Sequence, residues 1–328
     1  MTKYETDKPF KTIDEQINIL ANERNLKIPN IESAKVALSR YGYYEIINGY
    51  KDNFMIDSKN DDLGFKPHAD FEHIYSLFSM DQELRNWVID SLEFFEANLR
   101  QVVAYVIANN ISEHQDKYIN RRKYNTGRKY YKSKAHKDVY PVDDLMWTLT
   151  RATKSKKEPF NHYRTNHGNV PPWIIVKQLS LGNLIWWTRL LKRKEKDAVI
   201  SAMLGIPIPL LNNSQRTLFG EFLDVCLNYR NTAAHGGRIY NHYSSKHRLS
   251  FESAKMVLDV SNADYRNGKG QSRLGVLFNC LRLLSNQEPF IFLKSGINVS
   301  VKKYLKTYPE DLDFILSQME LEKDSIDI

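Results

Sequence analysis

The sequence predicts an all-α protein. Apolar residues recur at three- and four-residue steps over long runs, which is the period of a buried helix face. Helix starts and stops bracket those runs, from a capping box at Thr12 and Glu15 to the glycine pair Gly236 and Gly237. At 328 residues and 42% hydrophobic composition, the chain can bury a substantial core in one or two domains.

Thr12 caps a first helix that carries Ile13, Ile17 and Leu20 on one side. Pro29 and Asn30 close a turn, and a second helix begins near Ile31 with Ala34, Leu38 and Tyr41. With the tyrosine-rich segment Tyr41 to Phe54, these predict a small N-terminal helical head over residues 1–64. The polar run Lys59 to Gly64 is the candidate boundary. A helix-turn-helix is the alternative reading of the head, but it lacks a basic recognition face, so a packing module is preferred. Residues 65–328 are then a helical bundle, with a basic insertion at about 112–140 and a C-terminal extension at about 250–328.

A long helix is predicted from about Phe71 to Asn109, with Leu77, Leu84, Val88, Leu92, Leu99, Val103 and Val106 on the helical step. Glu96 lies on or near that buried side, where a carboxylate is costly unless paired. Arg100, one turn on, is the nearest partner, and Arg230 is another if the two helices pack together. The pair either fixes helix register or helps hold a site around Arg230, and the two roles are compatible.

Nine basic residues follow without an acid among them: Lys117, Arg121, Arg122, Lys123, Arg128, Lys129, Lys132, Lys134 and Lys137. They outweigh the net charge of +8 for the whole chain, so its basicity is one segment. Tyr118, Tyr124, Tyr130 and Tyr131 are interleaved. Cations neutralise phosphates and aromatic faces stack on unpaired bases, so the stretch reads as a single-strand RNA grip. A solvated insertion is the bland alternative.

Asp143 and Asp144 start a helix at Leu145 to Leu149. Lys154 to Lys157 and His162 to Asn169 read as loop, and no metal-ligand spacing surrounds His162 or His167. Pro171 and Pro172 open another helix, and Trp186 and Trp187 sit in an apolar patch read as helix core, with a subunit interface as the alternative for part of it. Lys192 to Lys196 is a solvated charge cluster, and Pro207 and Pro209 bend the chain before the next helix. Further on, Asn267 to Ser272 is a loop without the P-loop pattern, and Leu274 to Leu284 is an amphipathic helix. The segment to Lys306 has β-branched character, and Pro309 to Glu322 reads as a terminal helix. Cys226 and Cys280 lie in apolar runs and read as core fillers in a reducing compartment. No run is apolar enough for a membrane helix and the first residues carry no signal-peptide pattern, so the expected location is the cytoplasm.

The candidate site is the end of the helix carrying Leu218, Phe222, Val225, Cys226 and Tyr229 on one face. Arg230 and Asn231 stand in its last turns, and His235 sits at its end, before the glycines. Arginine offers a fixed fork of donors to phosphate, and histidine moves protons near neutral pH. A helix C-terminus also favours a cation. Beyond the glycines, His242, His247 and Arg248 are expected to keep the neighbourhood positive.

Arg230-Asn231-Thr232-Ala233-Ala234-His235, followed by Arg238, Ile239, Tyr240 and Asn241, resembles the Arg-Asn-x-x-x-His signature of HEPN-domain proteins. More narrowly, the chain resembles the Abi-like (abortive infection) branch of that superfamily. Ile31 to Leu38 leading into Tyr41 to Tyr44 and Ile47 to Tyr50, Glu96 to Arg100, and Pro171 to Trp173 through Gly182 are similar to that branch's other segments, in the same order. The resemblance reaches from about Lys11 to Asn241 and implies a HEPN-type all-helical bundle. It also implies metal-independent, cofactor-free RNA cleavage, usually in a homodimer whose Arg and His pairs face each other, often in bacterial defence against phage. Arg230, His235 and Asn231 would be catalytic, with Glu96, Arg100, Arg238 and Asn241 in support. Some relatives bind a small non-coding RNA, and type VI CRISPR effectors carry the domain in duplicate. The leading expectation is a toxin-like endoribonuclease. A non-catalytic protein holding a small RNA is the alternative, and a helical scaffold without nucleic acid is a third reading.

Overall fold

The computed structural model describes residues 9–133 and 136–326. In chain order its helices are α1 (Ile13–Asn18), α2 (Ile31–Tyr41), α3 (Phe71–Asn110), α4 (Gln115–Tyr118), α5 (Pro141–Thr153), α6 (Phe160–His167), α7 (Pro172–Ile175) and α8 (Leu181–Leu190). They continue with α9 (Arg193–Leu204), α10 (Asn213–Ala234), α11 (Phe251–Leu258), α12 (Asn262–Arg266), α13 (Leu274–Leu281), α14 (Glu288–Leu305) and α15 (Leu312–Met319). The sheet is one antiparallel pair, β1 (Tyr130–Lys132) with β2 (Lys137–Val139), and Tyr131 faces Asp138. The protein is all-α.

The chain forms two compact units. One unit holds the described residues up to Arg85 together with Gly296–Ile315. Thr12 and Glu15 form their capping box there, and Asn30 caps α2 through the Ser33 amide. At its centre Tyr50 donates to buried Asp81 at 2.6 Å, and His73 Nε2 meets Asp311 Oδ2 at 2.8 Å while its ring stacks on Tyr308. Burial alone would push the Asp311 carboxyl up, but His73 and Tyr304 offset that and hold it below its usual value.

The other unit, residues 86–295 and 316–326, carries the candidate site. Its core forms where the apolar stripes of α3 and α10 meet, with Phe95 set edge-on to Phe222 at 5.3 Å. Val88, Leu92, Leu99, Val103 and Val106 of α3 are buried in it, as are Leu218, Phe222, Val225, Cys226 and Tyr229 of α10, and Leu77 and Leu84 are buried in the first unit. Both cysteines are buried and free, and burial pushes their thiols up, which keeps them unreactive fillers.

Three segments depart from expectation. His162 to Asn169 is not a loop but mostly α6, whose single buried residue, Phe160, gives almost no periodic signal. The segment to Lys306 is α14, whose β-branched residues belong to a helix because Leu293, Ile297 and Val301 fall on one buried stripe. Part of the basic insertion is the β1–β2 hairpin.

Candidate functional site

Helix α10 is set firmly at its start. Asn212 and Gln215 form a capping box, and Asp197 of α9, almost wholly buried, accepts from Arg216 Nε at 2.8 Å and from Arg193 Nε at 3.0 Å. These bonds, Arg216's first, hold Asp197 below the ordinary carboxylate value against the opposing effect of burial.

The other end of α10 presents the polar residues. His235 is the C-cap, and its N–H donates to Asn231 O at 3.1 Å, so it stands one turn above Asn231. Arg230 is half-buried, and its Nη1 reaches Asn231 Oδ1 at 3.4 Å. Asn231 and His235 are exposed. Among the described residues the His235 ring makes no hydrogen bond, ion pair or ring contact, so both its nitrogens face solvent chemistry. Gly236 turns the chain at φ 76°, a conformation costly for other residues. Gly237 packs so tightly that a Cβ would lie 2.6 Å from Thr232 Cγ2.

After the turn Ile239 and Tyr240 plunge into the core, which leaves Arg238 exposed between them and the glycines. Asn241 is half-buried, and its carbonyl accepts from Arg273 Nη1 at 3.3 Å. His242 Nε2 lies 2.6 Å from Asn228 Oδ1, with its ring edge-on to Tyr229. Burial, reinforced by Arg273, lowers the His242 pKa, so this imidazole is neutral near pH 7 and does not add to the positive charge expected there. Arg248 and Arg266 supply cations there, and with Gln271 and with Arg273, which Glu320 neutralises at 3.4 Å, they line a polar concavity of about 440 Å3.

Glu96 and Arg100 do pair, one turn apart on α3. The same guanidinium donates to Val176 O at 3.0 Å and Leu179 O at 3.2 Å. Arg100 is thus a latch for the segment after α7. Arg230 takes no part, and the structure does not join Glu96 to it.

The basic stretch is less free than its composition indicates, because the acids that follow it fold back. Arg121 binds Asp143 at 2.8 Å, Lys129 binds Asp138 at 3.2 Å, and Lys132 and Tyr130 both bind Asp144. Lys117, Arg122, Lys123, Arg128 and Lys137 are exposed and form no ion pair among the described residues. Lys134 lies outside those residues. Tyr124 is not a stacking residue: it is 4% exposed, accepts from Trp187 Nε1 at 3.2 Å and donates to Tyr118 O. Tyr118 is likewise buried, donating to Val170 O. Tyr130 and Tyr131 remain exposed. Trp186, expected in the helix core, is 47% exposed, and Trp147 of α5 is 58% exposed.

Among the described residues no group of three or more His, Cys, Asp or Glu side chains is placed to hold a metal ion, and no helix is long and apolar enough to cross a membrane.

Residues 36–241, from α2 to the end of the Arg238–Asn241 turn, match the Abi-like protein family. The chain belongs to that family. No curated protein and no solved structure matches it. The matched span closes on the motif turn, and the arginine-lined concavity lies beyond it.

Proposed function

We propose that this Abi-like protein is a HEPN-type endoribonuclease acting as a toxin-like effector in abortive infection. The observation that carries the reading is the end of α10, where Arg230 touches the exposed Asn231 and the exposed His235 caps the helix one turn above it, its imidazole without a partner among the described residues. The RNA 2′-hydroxyl attacks the adjacent phosphorus, the bond to the 5′-oxygen breaks, and the products are a 2′,3′-cyclic phosphate and a 5′-hydroxyl end. Arg230 binds the phosphate and the charge that grows on its oxygens. His235 takes the proton from the 2′-hydroxyl or gives one to the leaving oxygen. Asn231 orients the guanidinium it already touches, and a two-fold partner would supply a second set for the complementary role.

The test is His235→Ala in the full chain. Cleavage of single-stranded RNA should fall at least about 100-fold with the thermal midpoint unchanged, EDTA should have little effect, and DNA should resist. Undiminished cleavage by the purified variant would refute the assignment. The exposed unpaired cations near β1 favour one second reading, a non-catalytic protein that holds a small RNA. In that case RNA copurifies intact with the wild-type chain.

A further inference from the structure

Helices α5 and α8 each turn a polar stripe outward beside the hairpin, and the two stripes share a pattern. On α5, Asp144, Trp147, Thr148 and Arg151 follow at steps of three, four and seven residues. On α8, Asn183, Trp186 and Arg189 follow at steps of three and six. Residues between them, including Leu145, Leu149, Leu184 and Trp187, are buried, so both tryptophans are held on the outer faces. Each arginine lies against its tryptophan: the Arg151 guanidinium is 4.5 Å from the Trp147 ring centre, and that of Arg189 is 5.8 Å from Trp186. Arg189 also binds Asp224 of α10 at 2.6 Å, which ties this stripe to the helix bearing Arg230.

Tyr130 of β1 closes one side through its hydroxyl bond to Asp144. The open groove measures about 440 Å3, within the range of about 300–1,000 Å3 typical of small-ligand sites. Aromatic faces line it, and the Thr148 hydroxyl and Asn183 amide offer a few hydrogen-bonding groups.

We propose that this groove seats an unpaired nucleobase of a single-stranded nucleic acid, with Trp147 and Trp186 as stacking platforms and Arg151, beside Trp147, near a flanking phosphate. Aromatic rings stack on any base, and neighbouring guanidiniums neutralise the backbone. A second protein copy fits less well, because interface cores are depleted in charged residues and this groove contains the Lys132–Asp144 ion pair. The inference rests on the reading of the chain as a single-strand binder. It relocates the aromatic part of that grip from Tyr124, which is buried, to two tryptophans.

The test measures fluorescence anisotropy of labelled 12-nucleotide RNA and DNA single strands with the full chain carrying His235→Ala, which prevents cutting. Adding Trp147→Ala and Trp186→Ala together should weaken binding of both strands at least about tenfold, since one stacked base is worth about fivefold to more than a hundredfold in affinity and both platforms are removed. The paired Phe substitutions should keep binding within a few-fold, and Trp173→Ala, exposed elsewhere, should change nothing. Thermal melts confirm that each variant folds. Unchanged binding by the double alanine variant overturns the proposal. So does a drop from dimer to monomer with binding intact, which would make the groove a contact between copies. RNA cleavage by the wild-type chain is scored separately. A chain that binds strands through the tryptophans without cutting keeps the groove and loses the nuclease reading. One that cuts RNA as well with the alanines as without them does the reverse.

Discussion

Arg230 and Asn231 show how little separates a structural surface pair from a reactive one. A half-buried guanidinium beside an exposed amide costs little to keep, yet its remaining donors are free for an anion. Arg230→Lys keeps the charge but loses the planar fork. RNA binding by that variant should stay within a few-fold while kcat for cleavage drops about 100-fold, the size of one lost transition-state donor. Equal losses in kcat and binding would instead make Arg230 a simple phosphate contact. His242 belongs to the frame behind the site. Its folded pKa lies below the ordinary 6.5, because burial disfavours the imidazolium. The unfolded chain therefore takes up this proton first on acidification. The associated stability is present above 6.5 and is lost as pH falls through the lower folded value. Thermal midpoints measured from pH 7.5 to pH 5 should fall more steeply for wild type than for His242→Gln. Sequence alone placed His242 among the positive residues, because a one-dimensional reading cannot see the Tyr229 ring and the Arg273 charge that exclude its proton.

At the scale of elements, periodicity decides what can be read in advance. A forty-residue helix such as α3 repeats its apolar step often enough that every core position chosen in it is buried. Trp186 and Trp187 are neighbours on α8, about 100° apart around the axis. Only the packing of that helix decides that the second is buried and the first open. The hairpin was still harder to see, since three-residue strands of mixed Tyr and Lys carry too short an alternation to register. Helix docking depends on particular polar contacts that no period announces. Asp197 joins α9 to α10 through Arg216 and is braced on its own helix by Arg193, and a buried carboxylate with charged donors exchanges poorly for an amide. Asp197→Asn should cost about 2 kcal/mol, the worth of hydrogen bonds to a charged group. Urea unfolding checks this, with an unchanged m-value expected. The same variant should slow RNA cleavage less than Arg230→Lys does, because it loosens the start of α10 rather than its reactive end.

For the whole molecule, what matters is how much of the +8 charge faces outward unpaired. Counting residues between Lys117 and Lys137 gives a footprint of nine cations. The fold returns Asp138, Asp143 and Asp144 to Lys129, Arg121 and Lys132, leaving five described cations in the stretch without an ion pair. Each phosphate neutralised on a single strand adds about 0.7 to the slope of log affinity against log salt. If this stretch grips RNA, Arg122→Gln, Lys123→Gln and Arg128→Gln together should lower that slope by about 2. Substituting Arg121, Lys129 and Lys132 by Gln removes cations already occupied by carboxylates. The slope should then change by less than half as much, while hairpin stability falls. Equal slope changes for the two triple variants would mean that the ion pairs open when RNA arrives, and that the count from sequence was the better measure of the footprint.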